Sequence, residues 1–179
     1  MAKQEKKIAS KKKFFAVSIP LLNMDITVLG FSQDEIMGKT IKLDLTRILR
    51  GKNFETTLTI KKEDQKLVGE FKSLRLLQSY MARLMRKSIS YIEDSFLCKS
   101  KDTQLRIKPF MLTRKKVHRS IRKALRSKAK ELIIQFAAEN SSDAVFSSII
   151  KASLQKELAS KLKKIYPLSL CEIRAIKKE

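Results

Sequence analysis

The stretch from Phe54 to Leu74 reads FETTLTIKKEDQKLVGEFKSL, and its period is two. Phe54, Thr56, Leu58 and Ile60 alternate with Glu55, Thr57, Thr59 and Lys61 in a run rich in β-formers. Lys62-Glu63-Asp64-Gln65 is a polar tip, after which Leu67, Gly69 and Phe71 face away from Val68, Glu70 and Lys72. The pattern predicts a β-hairpin with one buried and one wet face. Upstream, Ile41, Leu43 and Leu45 alternate with Lys42 and Asp44, and Arg50-Gly51-Lys52-Asn53 turns the chain into the hairpin. Phe14-Phe15-Ala16-Val17-Ser18-Ile19 predicts a first strand, ended by Pro20. Residues 20–37 are mixed and predict only a loop with a turn.

Past the hairpin the period changes. Leu77, Tyr80, Met81, Leu84 and Met85 fall at helical offsets within residues 75–88, with Arg83, Arg86 and Lys87 elsewhere on the wheel. A short amphipathic helix with a basic end follows. Residues 89–98 and 104–113 predict a second hairpin around Lys99-Ser100-Lys101-Asp102, with Arg106 and Lys108 on the wet face of its second strand. Arg114 to Lys130 then reads RKKVHRSIRKALRSKAK, nine of seventeen residues being Lys or Arg and none acidic. Val117, Ile121 and Leu125, then Ala129, Leu132 and Phe136, form one stripe and predict a helix from Arg114 to about Ala138. Arg119, Arg122, Lys123, Arg126 and Lys130 lie on its other faces. Asn140-Ser141-Ser142-Asp143 breaks that helix and caps another, striped by Phe146, Ile150, Leu154, Leu158, Leu162 and Ile165 and stopped by Pro167. Residues 168–176 return as a strand. The order predicts an α+β fold: an antiparallel β-rich body, sheet or barrel-like, with a short amphipathic helix, two longer C-terminal helices and a returning C-terminal strand. Residues 1–13 hold six lysines and one glutamate and predict a flexible basic arm; residues 14–179 predict a single domain.

The charge points to a polyanion. Formal net charge is +22 with 43% hydrophobic residues, the balance of a folded basic protein and not of a disordered tail. A helix built for solubility gains from Glu–Lys pairs four apart, and the 114–130 stretch has no acid to make them. Chemistry is hard to assemble. His118 is the only histidine; Cys98 and Cys171 lack metal spacing and read as small apolar residues of a reducing, cytosolic protein. Gly38-Lys39-Thr40 echoes a phosphate loop, but Gln33 stands where the first glycine belongs. Glu63-Asp64 sits on a turn tip, and Glu93-Asp94 is read as a structural partner of arginines. The sequence thus predicts no enzyme, no cofactor, no metal, no membrane span and no small-molecule substrate. With 7% aromatic residues and no tryptophan, base stacking is a minor term, leaving backbone contact by Lys and Arg to RNA or to DNA. The candidate contacts are Lys11, Lys12, Lys13, Arg83, Arg86, Lys87, Arg106, Lys108, Arg114, Lys115, Lys116, Arg119, Arg122, Lys123, Arg126 and Lys130.

Several strings are more specific than charge. Lys163-Lys164-Ile165-Tyr166-Pro167-Leu168 followed by Glu172-Ile173-Arg174 is similar to the closing KKIYPL…EIR of the S3Ae family of small-subunit ribosomal proteins of archaea and eukaryotes. Phe71-Lys72, Tyr80, Leu84, Arg86, Lys87, Ser90, Ile92 and Asp94 follow that family's order, and Leu105-Arg106-Ile107-Lys108, Thr113 and Lys115-Lys116 match its LRVK…T…RR stretch. The chain resembles this family across residues 12–176. It departs at Leu45-Thr46-Arg47-Ile48, where arginine replaces an acidic step, and at Ser169-Leu170, where two arginines are usual. The resemblance implies a non-enzymatic cytoplasmic protein of the small ribosomal subunit. It would sit on the platform near the messenger exit and the 3′ end of the subunit RNA, bound to ribosomal RNA and neighbouring ribosomal proteins. The competing class is a free-standing nucleic-acid-binding protein, which charge alone would serve equally well.

Overall fold

The computed structural model describes residues 11–49, 53–63 and 66–179. Most of the basic arm, the turn at residues 50–52 and the hairpin tip at Asp64-Gln65 lie outside them. The fold is α+β, and its nine strands form a mixed, mostly antiparallel sheet that is open and not barrel-like. Two compact units are built: the described residues up to Ile41 with Leu58–Glu70, and Lys42–Thr57 with Phe71–Glu179.

In the first unit β1 (Lys13–Ile19) and β2 (Met24–Gly30) form an antiparallel hairpin. The residues read as loop at 20–37 are therefore largely ordered. Pro20–Leu22 makes one 3-10 turn, Asn23 takes the left-handed region at φ 49°, and β2 follows. Its alternation of Asp25 and Thr27 with Ile26 and Val28 is a period-two strand signal, set behind the Pro20-Leu21-Leu22-Asn23 turn. A one-turn helix, α1 (Gln33–Ile36), is capped by Ser32, whose hydroxyl accepts from Glu35 N at 3.2 Å. Gly38 at φ 75° then turns the chain into β3 (Thr40–Asp44). This is the seat of the phosphate-loop echo, and no phosphate-loop helix follows it. β1 pairs in parallel with the start of β5 (Lys66–Leu76), and Val17, Ile36, Ile60 and Leu67 close a core flanked by Phe15, Ile26, Val28 and Ile41.

The hairpin that opened the sequence reading is real. β4 (Phe54–Glu63) buries Phe54, Thr56, Leu58 and Ile60, and β5 buries Leu67, Gly69, Phe71, Leu74 and Leu76. β5 runs two residues past the predicted end, so the amphipathic helix starts late: α2 is Gln78–Leu84, with only Met81 buried and Met85 exposed.

In the second unit β6 (Tyr91–Glu93) and β7 (Phe96–Lys99) both pair antiparallel with β8 (Gln104–Thr113), interrupted where Asp94 accepts from Ser95 N. β9 (Leu168–Lys178) pairs antiparallel with β8 and with β5. Three helices cover one face: α3 (Arg119–Glu139), α4 (Ser142–Lys151) and α5 (Ser153–Leu162). α3 begins at Arg119, five residues after the start of its charge run, with His118 at its N-cap. Its buried line is Leu125, Ala129, Ile133 and Ala137, whereas Leu132 and Phe136 are half-buried and line a cleft with Leu154 and Leu158 of α5.

The second long helix of the sequence reading is two helices. Ala152 sits at φ 60°, ψ 21°, and three polar groups serve the end of α4: Ala152 N, the Ser153 hydroxyl and the buried Gln155 amide, which donates to Ile149 O at 3.0 Å. No Gly or Pro marks that break, so the stripe ran through it. The corner moves Ile149 into the core in place of Ile150 and leaves Ile165 exposed. Phe71 and Phe146 meet at 5.6 Å between ring centroids in this core.

Candidate nucleic-acid interface

Charge alone does not place side chains, but one buried hydroxyl does. Thr113, the last residue of β8, is fully buried. Its Oγ1 accepts from Ser90 N at 3.0 Å and lies 2.7 Å from Lys115 O and 3.0 Å from Ser90 O, the acceptors for its proton. Thr113 N also donates to Ser90 O at 3.0 Å, and the Ser90 hydroxyl accepts from Val117 N at 3.2 Å. These bonds bind the 86–90 segment to the connection between β8 and α3. They bring Arg86, just past the end of α2, into one cleft with Arg114, which is remote in sequence.

Two clefts share Ile89 at this clamp. One is lined by Arg83, Arg86 and Arg114 with Ser88, Leu112, Ser169 and Leu170. The other is lined by Lys116, Arg122 and Arg126 with Ser90, Tyr91 and Glu93. Arg122 and Arg126, four apart, project from one face of α3 toward β6 because Leu125 and Ala129 face inward. The first turn of α3 contains no acid, and His118 gives no side-chain cap, so the positive end of the helix adds to the cations. All six lining cations are exposed, and among the described residues none is ion-paired.

A third basic surface lies on the sheet face away from the helices. Arg75, Arg106, Lys108, Arg174 and Lys177 surround Leu76, Met81 and Ile176 there. Two of its cations are engaged. Arg106 Nε donates to Glu179 at 2.6 Å, which holds the Glu179 carboxyl below its ordinary range and raises the guanidinium. Arg174 donates to Glu93 at 2.6 Å, so the acid read as an arginine partner is one. The sequence reading missed Arg75, Arg174 and Lys177; the EIR string carried Arg174, but only the β5–β9–β8 pairing sets all five on one face.

The remaining candidates are dispersed. Arg114, Lys115 and Lys116 belong to the connection and not to the helix, because Thr113 and Ser90 hold the chain in a bend there. Arg119, Lys123 and Lys130 are exposed on α3 outside the two clefts, and the Lys130 ammonium lies 5.8 Å from the Phe96 ring. Lys11, Lys12 and Lys13 belong to the first unit; Lys13 opens β1 and Lys12 lies 5.4 Å from the Phe31 ring.

Cys98 and Cys171 are free and buried in β7 and β9, and burial pushes their thiols up to about 11 and about 12, the Glu172 charge adding to the second. Among the described residues no group of His, Cys, Asp and Glu could hold a metal, and no helix is long and apolar enough to cross a membrane.

Comparison with known proteins gives one consistent family. A family model described as the ribosomal S3Ae family matches residues 2–179. The small ribosomal subunit protein eS1 of Saccharolobus solfataricus is 30% identical over 159 residues, spanning 79% of this chain and 76% of that one. Its counterparts in Nanoarchaeum equitans (22% over 172 residues, 92% of this chain and 87% of that one) and Saccharolobus islandicus (26% over 184 residues, 93% and 84%) extend the likeness to nearly the full length.

Proposed function

Because the chain belongs to the ribosomal S3Ae family and is a small ribosomal subunit protein, we propose that ribosomal RNA holds it there across the two clefts that meet at Ile89. The observation that carries this reading is the Thr113–Ser90 clamp, which gathers six cations, unpaired among the described residues, from three parts of the chain. A packed core does not need that gathering, and like charges so placed repel one another until an anion meets them. Five of the six are arginines, and each guanidinium can fork two phosphate oxygens. Contact of this kind reads backbone shape and charge with little base preference, as suits a folded RNA. The role is that of a structural constituent, not a catalyst.

The finer location, on the platform near the messenger exit and the 3′ end of the subunit RNA, is supported by the resemblance of the closing KKIYPL…EIR string and its companions. It is tested with Ser88→Cys, an exposed position lining one cleft. Iron tethered to that thiol should direct hydroxyl-radical cleavage to subunit RNA near its 3′ end; cleavage only elsewhere refutes the location. The RNA reading itself is tested on sucrose gradients of native lysate at moderate and high salt. Six phosphate contacts made by a free binder would weaken about a thousandfold between 50 and 200 mM salt. Persistence in the small-subunit fraction at one copy per particle, lost on Arg122→Glu/Arg126→Glu, is expected. Retention of that charge-reversed chain refutes the proposed contact.

A further inference from the structure

The cations of this chain avoid one region. From Phe14 to Gly38 there is no Lys or Arg, and the charged residues are Asp25, Asp34 and Glu35, in a protein of formal net charge +22. That stretch builds β1, β2 and α1. One face of the β1–β2 hairpin is core, where Phe15, Val17, Ile26 and Val28 pack with Ile36. Period two sends Phe14, Ala16, Asp25, Thr27 and Leu29 to the other face. There Phe14, 72% exposed, stands directly opposite Leu29, 51% exposed, and Phe31 continues the patch at 47%.

β2 is also the terminal strand. It pairs with β1 over all seven of its residues without a register shift, and among the described residues no strand lies on its other side. Natural proteins blunt such edges with Lys, Pro, bulges or very short strands. Met24–Gly30 has none of these, and its single charge is Asp25. An open edge beside an exposed Phe–Leu pair is a template for one more strand. RNA fits it poorly, because the strand face carries a carboxylate, Asp25, and its cation, Lys12, stands only at the far end beside the Phe31 ring. A second copy of this chain would bring its own Asp25 and Asp34 and no balancing charge.

We propose that β2 is a docking edge for an extended, Lys/Arg-rich segment of another protein, which adds as a strand along Met24–Gly30. The main-chain groups of β2 turned away from β1 supply the hydrogen bonds. Phe14 and Leu29 take alternate apolar side chains of the added strand, and Asp25 and Asp34 take its cations. The proposal stands on the first unit alone and is independent of the RNA clefts.

Two arms test it on the full chain. In the first, Thr27 is replaced by a photo-cross-linking amino acid and the chain is carried into purified small subunits. The expected product joins β2 to one Lys/Arg-rich peptide of a different protein, and its yield falls about tenfold or more in the Phe14→Lys/Leu29→Lys background, a loss of at least one energetic decade. Cross-links to RNA, to a second copy or to residues 1–10 of the same chain overturn the proposal, as does an unchanged yield. In the second, the free chain is titrated with a synthetic alternating Lys-Val peptide while amide exchange is followed. Exchange at Asp25–Leu29 should slow about tenfold or more on binding, and not in the double-lysine variant. Saturating peptide with unchanged exchange there refutes strand addition, whatever the clefts do with RNA.

Discussion

Replacing Thr113 by valine keeps the shape of a fully buried side chain and deletes one oxygen. That oxygen serves three partners: Ser90 N and Ser90 O at 3.0 Å and Lys115 O at 2.7 Å. With valine, Ser90 O keeps its bond from Thr113 N, so the groups stranded are Ser90 N–H and Lys115 O. Lys115 is exposed and water can reach its carbonyl, whereas Ser90 is half-buried. The net loss of two hydrogen bonds at about 1 kcal/mol each, with part of a desolvation cost at Ser90, gives about 2–3 kcal/mol. For a chain of this size that is a fall in Tm of roughly 4–12 °C. No cation is removed, yet Arg86 and Lys116 lose their shared anchor, so affinity for a subunit RNA fragment should fall about three- to tenfold. The slope of affinity against salt should stay the same within about one unit. Urea unfolding and RNA titration at four salt concentrations read both quantities. Thr113→Ser keeps the hydroxyl and should keep the RNA affinity at a stability cost of about 1 kcal/mol. Wild-type stability and affinity in Thr113→Val would refute the idea that this hydroxyl builds the interface.

Other outcomes follow from the same geometry. Arg122→Ala/Arg126→Ala should leave stability within about 0.5 kcal/mol, both side chains being exposed and unpaired among the described residues, and should lower the salt slope by about 1.4–1.8; an unchanged slope would show that neither meets a phosphate. Burial raises both thiols, so at pH 8 the thiolate of Cys98 should be about two-hundredfold scarcer than in an unfolded chain, and that of Cys171 scarcer still. Reaction with a disulfide reagent should therefore be slow in the native protein, quicken as pH rises toward 11, and become fast in denaturant; rapid native reaction at pH 8 argues against the buried placement. Ala152→Gly relieves a left-handed backbone at the cost of one small methyl and should be neutral or stabilise by about 0.5–1 kcal/mol, while Ala152→Val should destabilise by more than 1 kcal/mol; a calorimetric Tm that moves the opposite way for glycine would refute the corner.

Much of this protein was legible as periodicity. Alternation over Phe54–Ile60, Leu67–Leu74 and Leu105–Ile107 produced strands because only one face of each is buried there, and the four-residue spacing through Ile121, Leu125 and Ala129 produced a helix for the same reason. The α+β class and the returning C-terminal strand needed nothing beyond the order and types of residues. The short strings KKIYPL and EIR carried the family. What failed was local punctuation without Gly or Pro. The α4–α5 corner at Ala152 is fixed by Ser153 and Gln155 reaching back to carbonyls, a contact that no periodic pattern encodes. β2, a short strand of seven residues, lay behind the Pro20–Leu22 turn, and the start of α3 yielded to the bonds of Thr113 and Ser90.

For the interface the division is sharper. Composition set the formal net charge of +22, and with it the expectation of a polyanion, since charge is additive along the chain and survives any fold. It could not determine which cations would stand together, because Arg86 and Arg114 come to line one cleft where Thr113 ties the 86–90 segment to the chain that leads into α3. Nor could it separate Arg122 in a cleft from Arg106 tied to Glu179, or show that the stretch without cations forms the edge strand. Sequence sets how much charge there is; long-range hydrogen bonds, each spanning tens of residues, set where it points.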